Sequence, residues 1–288
     1  MIRSMTAFAT ARTRLQGAEL ALELRSVNHR YLEISPRLPE ELRAHEGLLR
    51  ERLARQVSRG KLDVTARIER PAQTDHELAL DMEFVKALGK ACHAIDAHLM
   101  NPGRVNPLDI LRWPGVLAQS GFAPEELQAA LNEALDEALR GFARARADEG
   151  ARLSALIVQR LDEMVTGVES VRQRRPAVLA ALRERVLGRL GELDIAADPG
   201  RLEQELALQA QRLDVSEELD RLEAHIAQMR EVLTRDEPVG RRLDFLTQEL
   251  NREANTLASK SADLATTRAA MDLKVLIEQI REQVQNIE

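Results

Sequence analysis

The sequence has few aromatic residues and a single cysteine, and both shortages limit the classes of protein it can represent. Aromatic side chains make up 2% of its 288 residues, too few for an extended base-stacking platform of the kind that binds single-stranded nucleic acid. Cys92 is the only cysteine, so it can form neither an internal disulfide nor a zinc knuckle. We therefore expect a protein of a reducing compartment in which Cys92 is a packing residue.

Long apolar runs are also missing from the chain. No stretch of about eighteen apolar residues suits a membrane-spanning helix, and the first residues, MIRSMT, lack the apolar core of a signal peptide. These absences predict a cytoplasmic protein with no membrane partner. The net charge of −6 argues against a generally basic coat for nucleic acid, although the field in a groove depends on local clusters.

Alternating apolar residues predict a small sheet near the amino terminus. Residues 18–27 place leucine at every second position, as a half-buried strand requires. Residues 31–35 and 61–69 extend this pattern, and we expect all three strands in one sheet. Between Pro39 and Ser58, leucines recur at helical spacing, which predicts a helix packed across the sheet.

The rest of the chain is helical in composition, and the fold class expected for the whole is α+β. Hydrophobic residues make up 44% and charged residues 31%, a balance that favours helices rich in leucine, alanine, glutamate and arginine. We predict a sheet-and-helix domain over residues 1–120 and a long, coiled-coil-like helical domain over residues 121–288. Helix breakers are expected to divide the second domain at Pro176, at 199–200 and at 238–240.

The segment over residues 201–225 carries the most informative pattern. At about 100° per residue, one helical sector contains Asp214, Glu218, Arg221 and His225. Two carboxylates and an imidazole at successive turns can hold a hard divalent cation, and an arginine beside them can bind a phosphate. The alternative interpretation is a solvated helix face with ion pairs between residues four apart.

Two further predicted helices carry acids and bases along one stripe. The helix after residue 240 places polar side chains beside a leucine face, at Glu249, Arg252, Glu253 and Lys260. The helix over residues 262–287 does the same with Lys274, Glu278, Arg281 and Glu282. If the three helices pack side by side, their stripes converge into one cleft within residues 201–288. Three separate exposed faces are the alternative.

A modest basic patch lies in the first domain. Residues 37–70 contain nine arginines and lysines against six acids. Within this patch, Arg59, Gly60 and Lys61 occupy a predicted helix-to-strand turn that can present two cations and a backbone amide to a phosphate. A glycine-ended helix with basic residues in its last turn needs no ligand, so a purely structural role is the alternative.

Several distinctive motifs are distributed along the chain. They are MIRSMTA at residues 1–7, RSVNHRYLE at 25–33, RLPEELR at 37–43, NPLDILRWPGV at 106–116, and LKVLIEQIREQVQNIE at 273–288, together with residues 59–61 and 240–263. In these motifs the sequence resembles the YicC/YloC family. Because they occur in order from one terminus to the other, the resemblance covers the whole chain.

The resemblance implies an endoribonuclease that depends on a divalent metal, with Mg²⁺ or Mn²⁺ expected. It also implies a ring-like homo-oligomer, with a hexamer expected, that acts on cytoplasmic RNA, and other RNA-turnover enzymes are partners to consider. The family's polar signature falls in the first domain on Asn28, Arg30, Tyr31 and Glu33. In the second domain it falls on Asp214, Glu217, Glu218, Arg221, His225, Arg241, Asp244, Glu249, Arg252, Glu253, Lys260, Lys274, Glu278, Arg281 and Glu282.

The residue patterns and the resemblance together assign roles to particular side chains. Catalytic roles are predicted for Glu218, His225, Glu249 and Glu253, and metal ligation for these four and Asp214. RNA contacts are predicted for Arg30, Arg59, Lys61, Arg221, Arg241, Arg252, Lys260, Lys274 and Arg281. The competing hypotheses are a non-catalytic RNA-binding scaffold or adaptor, and a purely structural helical protein without an RNA partner.

Overall fold

The α+β fold class is confirmed by the computed structural model, which describes residues 2–70, 80–101, 103–117, 122–192 and 198–288. The strands are β1 (Ala7–Leu15), β2 (Ala18–Val27), β3 (Leu32–Arg37) and β4 (Gly60–Glu69). A 3-10 helix (Glu40–His45) and α1 (Glu46–Ala54) lie between β3 and β4. The remaining helices are α2 (Met82–Asp96), α3 (Pro107–Arg112), α4 (Pro124–Glu192), α5 (Pro199–Arg212), α6 (Ser216–Leu233), α7 (Gly240–Lys260) and α8 (Leu264–Val284).

The four strands form one sheet in the order β1-β2-β4-β3. The predicted strands are confirmed as β2, β3 and β4; β2 runs antiparallel to β1 and β4, and β3 runs parallel to β4. The sequence patterns did not predict β1. Its inward positions include the small residues Ala9 and Ala11, which give a weak alternation signal. Gly17, at φ 68°, allows the tight turn between β1 and β2.

Helices cover one face of this sheet and form the first core. Leu49 and Leu53 of α1 are fully buried, which confirms the predicted helix across the sheet. The first part of α4 packs beside it, through buried residues from Leu127 to Phe142. Arg52 of α1 donates a hydrogen bond to Asp136 of α4. The domain boundary predicted at 120 lies outside the described residues.

The second core begins farther along α4, at Leu153, and includes α6, α7 and α8. The buried apolar stripes of these helices confirm that they pack together. Among the described helices, none is both long and apolar enough to cross a membrane.

Two predicted features of the helical region are wrong. Pro176 does not end a helix, because it lies inside α4, which continues to Glu192. Its cost to the helix is offset by packing on both sides, at Val171 and Leu182. The segment over residues 201–225 is not one helix, since α5 ends at Arg212 and α6 begins at Ser216. The sector shared by Asp214 and His225 therefore does not exist.

The two chain termini meet beside α4 and join the two cores. Ser4 and Ile287 form an antiparallel bridge. The buried Arg146 of α4 donates a 2.7 Å hydrogen bond from Nε to the Ser4 carbonyl and forms an ion pair with Glu288. Burial lowers the pKa of Arg146, and a buried cation of this kind needs such a partner. These contacts between the two termini and α4 hold the start of α7 and the end of α8 against the sheet domain.

Candidate functional site

A cluster of one imidazole and two carboxylates lies between α6 and α7. His225 projects from α6, while Glu249 and Glu253 lie one turn apart on α7. One ligand atom of each residue lies within 4.8 Å of the others. The two helices pack antiparallel through their leucine stripes, and this packing brings their polar sides together. The sequence predicted that these three residues would share a cleft, although it predicted Glu218 among them.

The cluster is sheltered from solvent. Glu253 is 3% exposed, and His225 and Glu249 are half-buried. Nδ1 of His225 is buried and has no hydrogen-bond partner. A buried polar atom without a partner is uncommon, so the cluster has the arrangement of a binding site more than that of a saturated ion-pair network.

Arg221 lies one helical turn before His225 and contacts the edge of the cluster. Its guanidinium donates to Glu253 at 3.5 Å and also to Glu217. The negative charge of Glu217, and to a smaller extent that of Glu253, raises the pKa of Arg221. About half of the Arg221 side chain remains exposed, so its guanidinium can also approach an anion from solvent.

Glu218 belongs to a separate ion-pair group. Lys260 donates from Nζ to Glu218 at 2.8 Å and to the carbonyl of Asp214 at 3.0 Å. The hydroxyl of Ser216 donates to the Asp214 carboxylate at 2.6 Å, and Arg175 donates to it at the same distance. The serine hydrogen bonds, with Arg175 and Lys260, lower the pKa of Asp214. Asp214 and Glu218 are therefore engaged with cations outside the cluster.

A basic cleft lies where the amino end of α7 meets the sheet domain. It has a volume of about 450 Å³, and its lining includes Arg30, Arg59, Arg241, Asp244 and Asn28. Arg59 donates to the carbonyl of His29 at 3.1 Å. Along α7, at about 1.5 Å per residue, Arg241 lies roughly 12 Å from Glu249.

Four other predicted RNA-binding residues are not among those that line the basic cleft. Lys61 forms an ion pair with Glu33 at 3.3 Å, and Arg281 forms one with Glu278 at 3.5 Å. Arg252 is exposed and Lys274 is half-buried. Within the described part of the chain, no hydrogen bond or ion pair joins these four basic residues to the cluster.

Sequence reasoning missed several long-range contacts around the candidate site. Arg175 on α4 fixes Asp214, and Arg146 connects the two termini, yet both look like ordinary charged positions of a long helix. Asn28 donates a 2.7 Å hydrogen bond to the carbonyl of Gln285 beside the basic cleft. These contacts join residues more than 35 positions apart, so no local pattern could reveal them.

Comparison with known proteins shows the family of this chain. The model for the "Endoribonuclease YicC-like, N-terminal region" matches residues 2–155, and the model for "Endoribonuclease YicC-like, C-terminal" matches residues 171–288. The chain belongs to the YicC-like family. A YicC protein of Haemophilus influenzae is 44% identical over 288 residues, and one of Clostridioides difficile is 29% identical over 300 residues; both matches cover each chain completely.

The family resemblance read from the sequence motifs is thereby confirmed. Both relatives carry the name probable endoribonuclease YicC, which supports endoribonuclease activity for the YicC-like family in general. The cluster of His225, Glu249 and Glu253 lies within the part matched by the C-terminal model, as does Arg221, whereas the basic cleft combines residues from both parts.

Proposed function

We propose that this protein is an endoribonuclease that depends on a divalent metal held by His225, Glu249 and Glu253. The observation that carries the proposal is the approach of three ligand atoms to within 4.8 Å on facing helices. Carboxylates and an imidazole form a donor set for a divalent cation. Of the two metals expected, Mn²⁺ fits better, because Mg²⁺ takes oxygen ligands almost exclusively.

The donor set passes a simple chemical test. Two carboxylates at this separation repel each other, and at an effective dielectric constant of 20 the repulsion is about 3 to 4 kcal/mol. Arg221 offsets part of it through Glu253. A divalent cation bound there would relieve the remaining repulsion between the two carboxylates and would take the His225 imidazole as a ligand.

The chemistry assigned to the site is hydrolysis of a phosphodiester. A bound divalent cation supplies an activated water and neutralises charge on the phosphate. Arg221, half exposed beside the cluster, is proposed to orient the scissile phosphate through its planar guanidinium. We propose His225 as a ligand of the cation; the alternative role is that of a general acid that donates a proton to the leaving oxygen.

The basic cleft is proposed to bind the RNA backbone away from the point of cleavage. Three guanidinium groups, those of Arg30, Arg59 and Arg241, line it, and they concentrate polyanion locally despite the net charge of −6. We further propose that the active form is a ring-like homo-oligomer, a hexamer, which acts on cytoplasmic RNA.

Cleavage of a defined hairpin RNA by the purified protein tests the proposal. We expect cleavage with Mn²⁺ or Mg²⁺ and none with a chelator. Glu249→Gln and Glu253→Gln should each lower the rate at least on the order of 100-fold, because each removes a ligand. The matched control is Glu223→Gln on α6, an acid that pairs with Arg172 and should leave the rate unchanged.

Two outcomes would overturn parts of this proposal. If both glutamine variants cleave with the same metal dependence as the natural sequence, the cluster is not the active site. If the protein binds the hairpin but does not cleave it under any metal condition, the non-catalytic scaffold becomes the better account.

A further inference from the structure

A protruding arm between β4 and α4 has no place in the proposed cleavage site. The arm, residues 80–117, contains α2 and α3 and is closed at its base by a β-bridge between Leu80 and Leu117. Just inside the bridge, the Asp81 N–H donates to the Val116 carbonyl at 2.9 Å. Neither α2 nor α3 buries any residue. The arm therefore stands out from both cores.

Exposed apolar side chains are concentrated on this arm. Of the 21 large hydrophobic residues that are exposed in the described part of the chain, ten lie within these 38 positions. They are Leu80, Met82, Phe84, Ile95, Leu99, Met100, Val105, Leu108, Trp113 and Leu117. Single exposed apolar residues are ordinary on a protein surface, but such a concentration marks an interaction surface.

The helix α2 shows how these residues are arranged. Phe84, Leu88, Ala91 and Ile95 recur at spacings of four and three, so they form one stripe along the helix. The charged residues at positions 83, 86 and 90 lie on the opposite side. The stripe therefore offers an apolar, uncharged face to a partner helix.

The exposed area is large enough for a stable protein contact. Aromatic side chains have roughly 150 to 250 Å² of surface and aliphatic ones somewhat less, so the ten exposures, between 36% and 105%, amount to about 1,000 Å² of apolar residue summed over all faces of the arm. The largest apolar patch of a typical monomer is about 300 to 600 Å². A standard interface buries about 800 Å² on each partner, so the α2 stripe would form the centre of such a contact and neighbouring parts of the arm would supply the rest.

Charge decides which kind of partner fits. The arm has four acidic and four basic side chains, so it has no net attraction for RNA or for an anionic membrane. A helical unit of fewer than about 40 residues also seldom buries enough surface to be stable alone. An identical stripe on a second copy is apolar, uncharged and present at equal concentration. It therefore matches the arm in polarity and charge and can bury its exposed surface.

We propose that the arm packs against the arm of a second copy of this chain, with the α2 stripes forming the centre of a two-fold contact. Such a contact is isologous, since the same surface serves both partners. It assigns one specific interface within the assembly proposed above, and it uses no residue of the metal cluster or the basic cleft.

The test is the association of the full chain in solution. The variant Ile95→Asp with Leu99→Asp places carboxylates in the proposed contact, and the replaced side chains are 59% and 53% exposed, so the fold should persist. Sedimentation velocity over a range of concentrations should show the natural sequence as a multiple of one chain. The variant should dissociate with a constant at least about 100-fold higher. His93→Asp, on the opposite side of α2, is the control and should assemble normally.

A second readout comes from Trp113, the single tryptophan, which is 55% exposed. Its emission should shift to the blue on assembly and to the red in the variant, while far-ultraviolet circular dichroism stays unchanged. A natural sequence that remains monomeric, or a variant that assembles equally well, would overturn the proposal. A blue shift only with phosphatidylcholine vesicles would also overturn it, because the occupant would then be lipid. RNA cleavage by the natural sequence and by Glu253→Gln tests the metal site, and neither measurement depends on the arm variant, so the two proposals fail separately.

Discussion

Replacing Gly150 with alanine should destabilise the protein, because the amino-terminal segment crosses α4 at this point. A Cβ atom there would lie 2.2 Å from the carbonyl oxygen of Ile2 and 3.0 Å from Cα of Arg3. Carbon–oxygen contacts are normally about 3.3 Å or longer. Either the helix or the crossing segment must therefore move by roughly 1 Å.

The size of the effect follows from the contacts that move. Overpacking of this kind costs about 1 to 3 kcal/mol. Displacement of the segment also weakens the hydrogen bonds that join Ser4 to Arg146, each worth about 1 kcal/mol. Alanine returns about 1 kcal/mol through its higher helix propensity. We expect a net loss of about 2 kcal/mol, or a fall in Tm of roughly 4 to 8 °C for a chain of this size.

Gly188 provides a matched control in the same helix. No atom lies within 4 Å of a Cβ added there, so Gly188→Ala should stabilise the protein by up to about 1 kcal/mol. Thermal and urea unfolding, followed by circular dichroism at 222 nm, the usual helix band, measure both variants. If Gly150→Ala is as stable as Gly188→Ala, the terminal segment does not lie across α4 as described.

Three further predictions concern charge. Glu288→Gln leaves Arg146 buried without its ionic partner and should lower the free energy of unfolding by about 3 kcal/mol. Hydrogen bonds from Ser216 lower the pKa of Asp214. The contribution of Asp214 to stability is therefore complete above about pH 4 and is lost as the pH falls through the folded-state pKa. Asp214→Asn should reduce the loss of stability at acidic pH, measured as the free energy of unfolding against pH. The double variant Arg30→Ala with Arg59→Ala should weaken RNA binding. It should also reduce the slope of log K against log salt concentration by about 1.4, at roughly 0.7 per phosphate contact on a single strand. An unchanged slope would exclude the basic cleft from RNA binding.

The sequence predicts much of the architecture because periodicity encodes which side of an element is buried. Leucines at every second position located β2, and stripes of leucine, isoleucine and valine located α6, α7 and α8. Their antiparallel packing followed from the break at residues 238–240. This antiparallel packing brought His225 and Glu249 together as predicted, because each of them lies on a continuous helix.

The sequence wrongly predicted one helix over residues 201–225, because local hydrogen bonds at Asp214 outweigh helix propensity there. Asp214 accepts hydrogen bonds from both the backbone N–H and the hydroxyl of Ser216, which is a helix-starting arrangement that competes with continuation of α5. The segment contains no proline or glycine at 213–215, so the break gave no strong signal. A ligand set that assumed one continuous helix consequently included Asp214.

Binding of Mn²⁺ to the purified protein tests the proposed metal site most directly. We expect one tight site per chain, measured by isothermal titration calorimetry, with a rise in Tm on binding. Glu253→Gln and His225→Ala should each weaken that site at least about tenfold, whereas Glu217→Gln, which also removes a partner of Arg221 but no ligand, should bind as the natural sequence does. Equal Mn²⁺ affinity in all four proteins would contradict the claim that His225, Glu249 and Glu253 hold the metal.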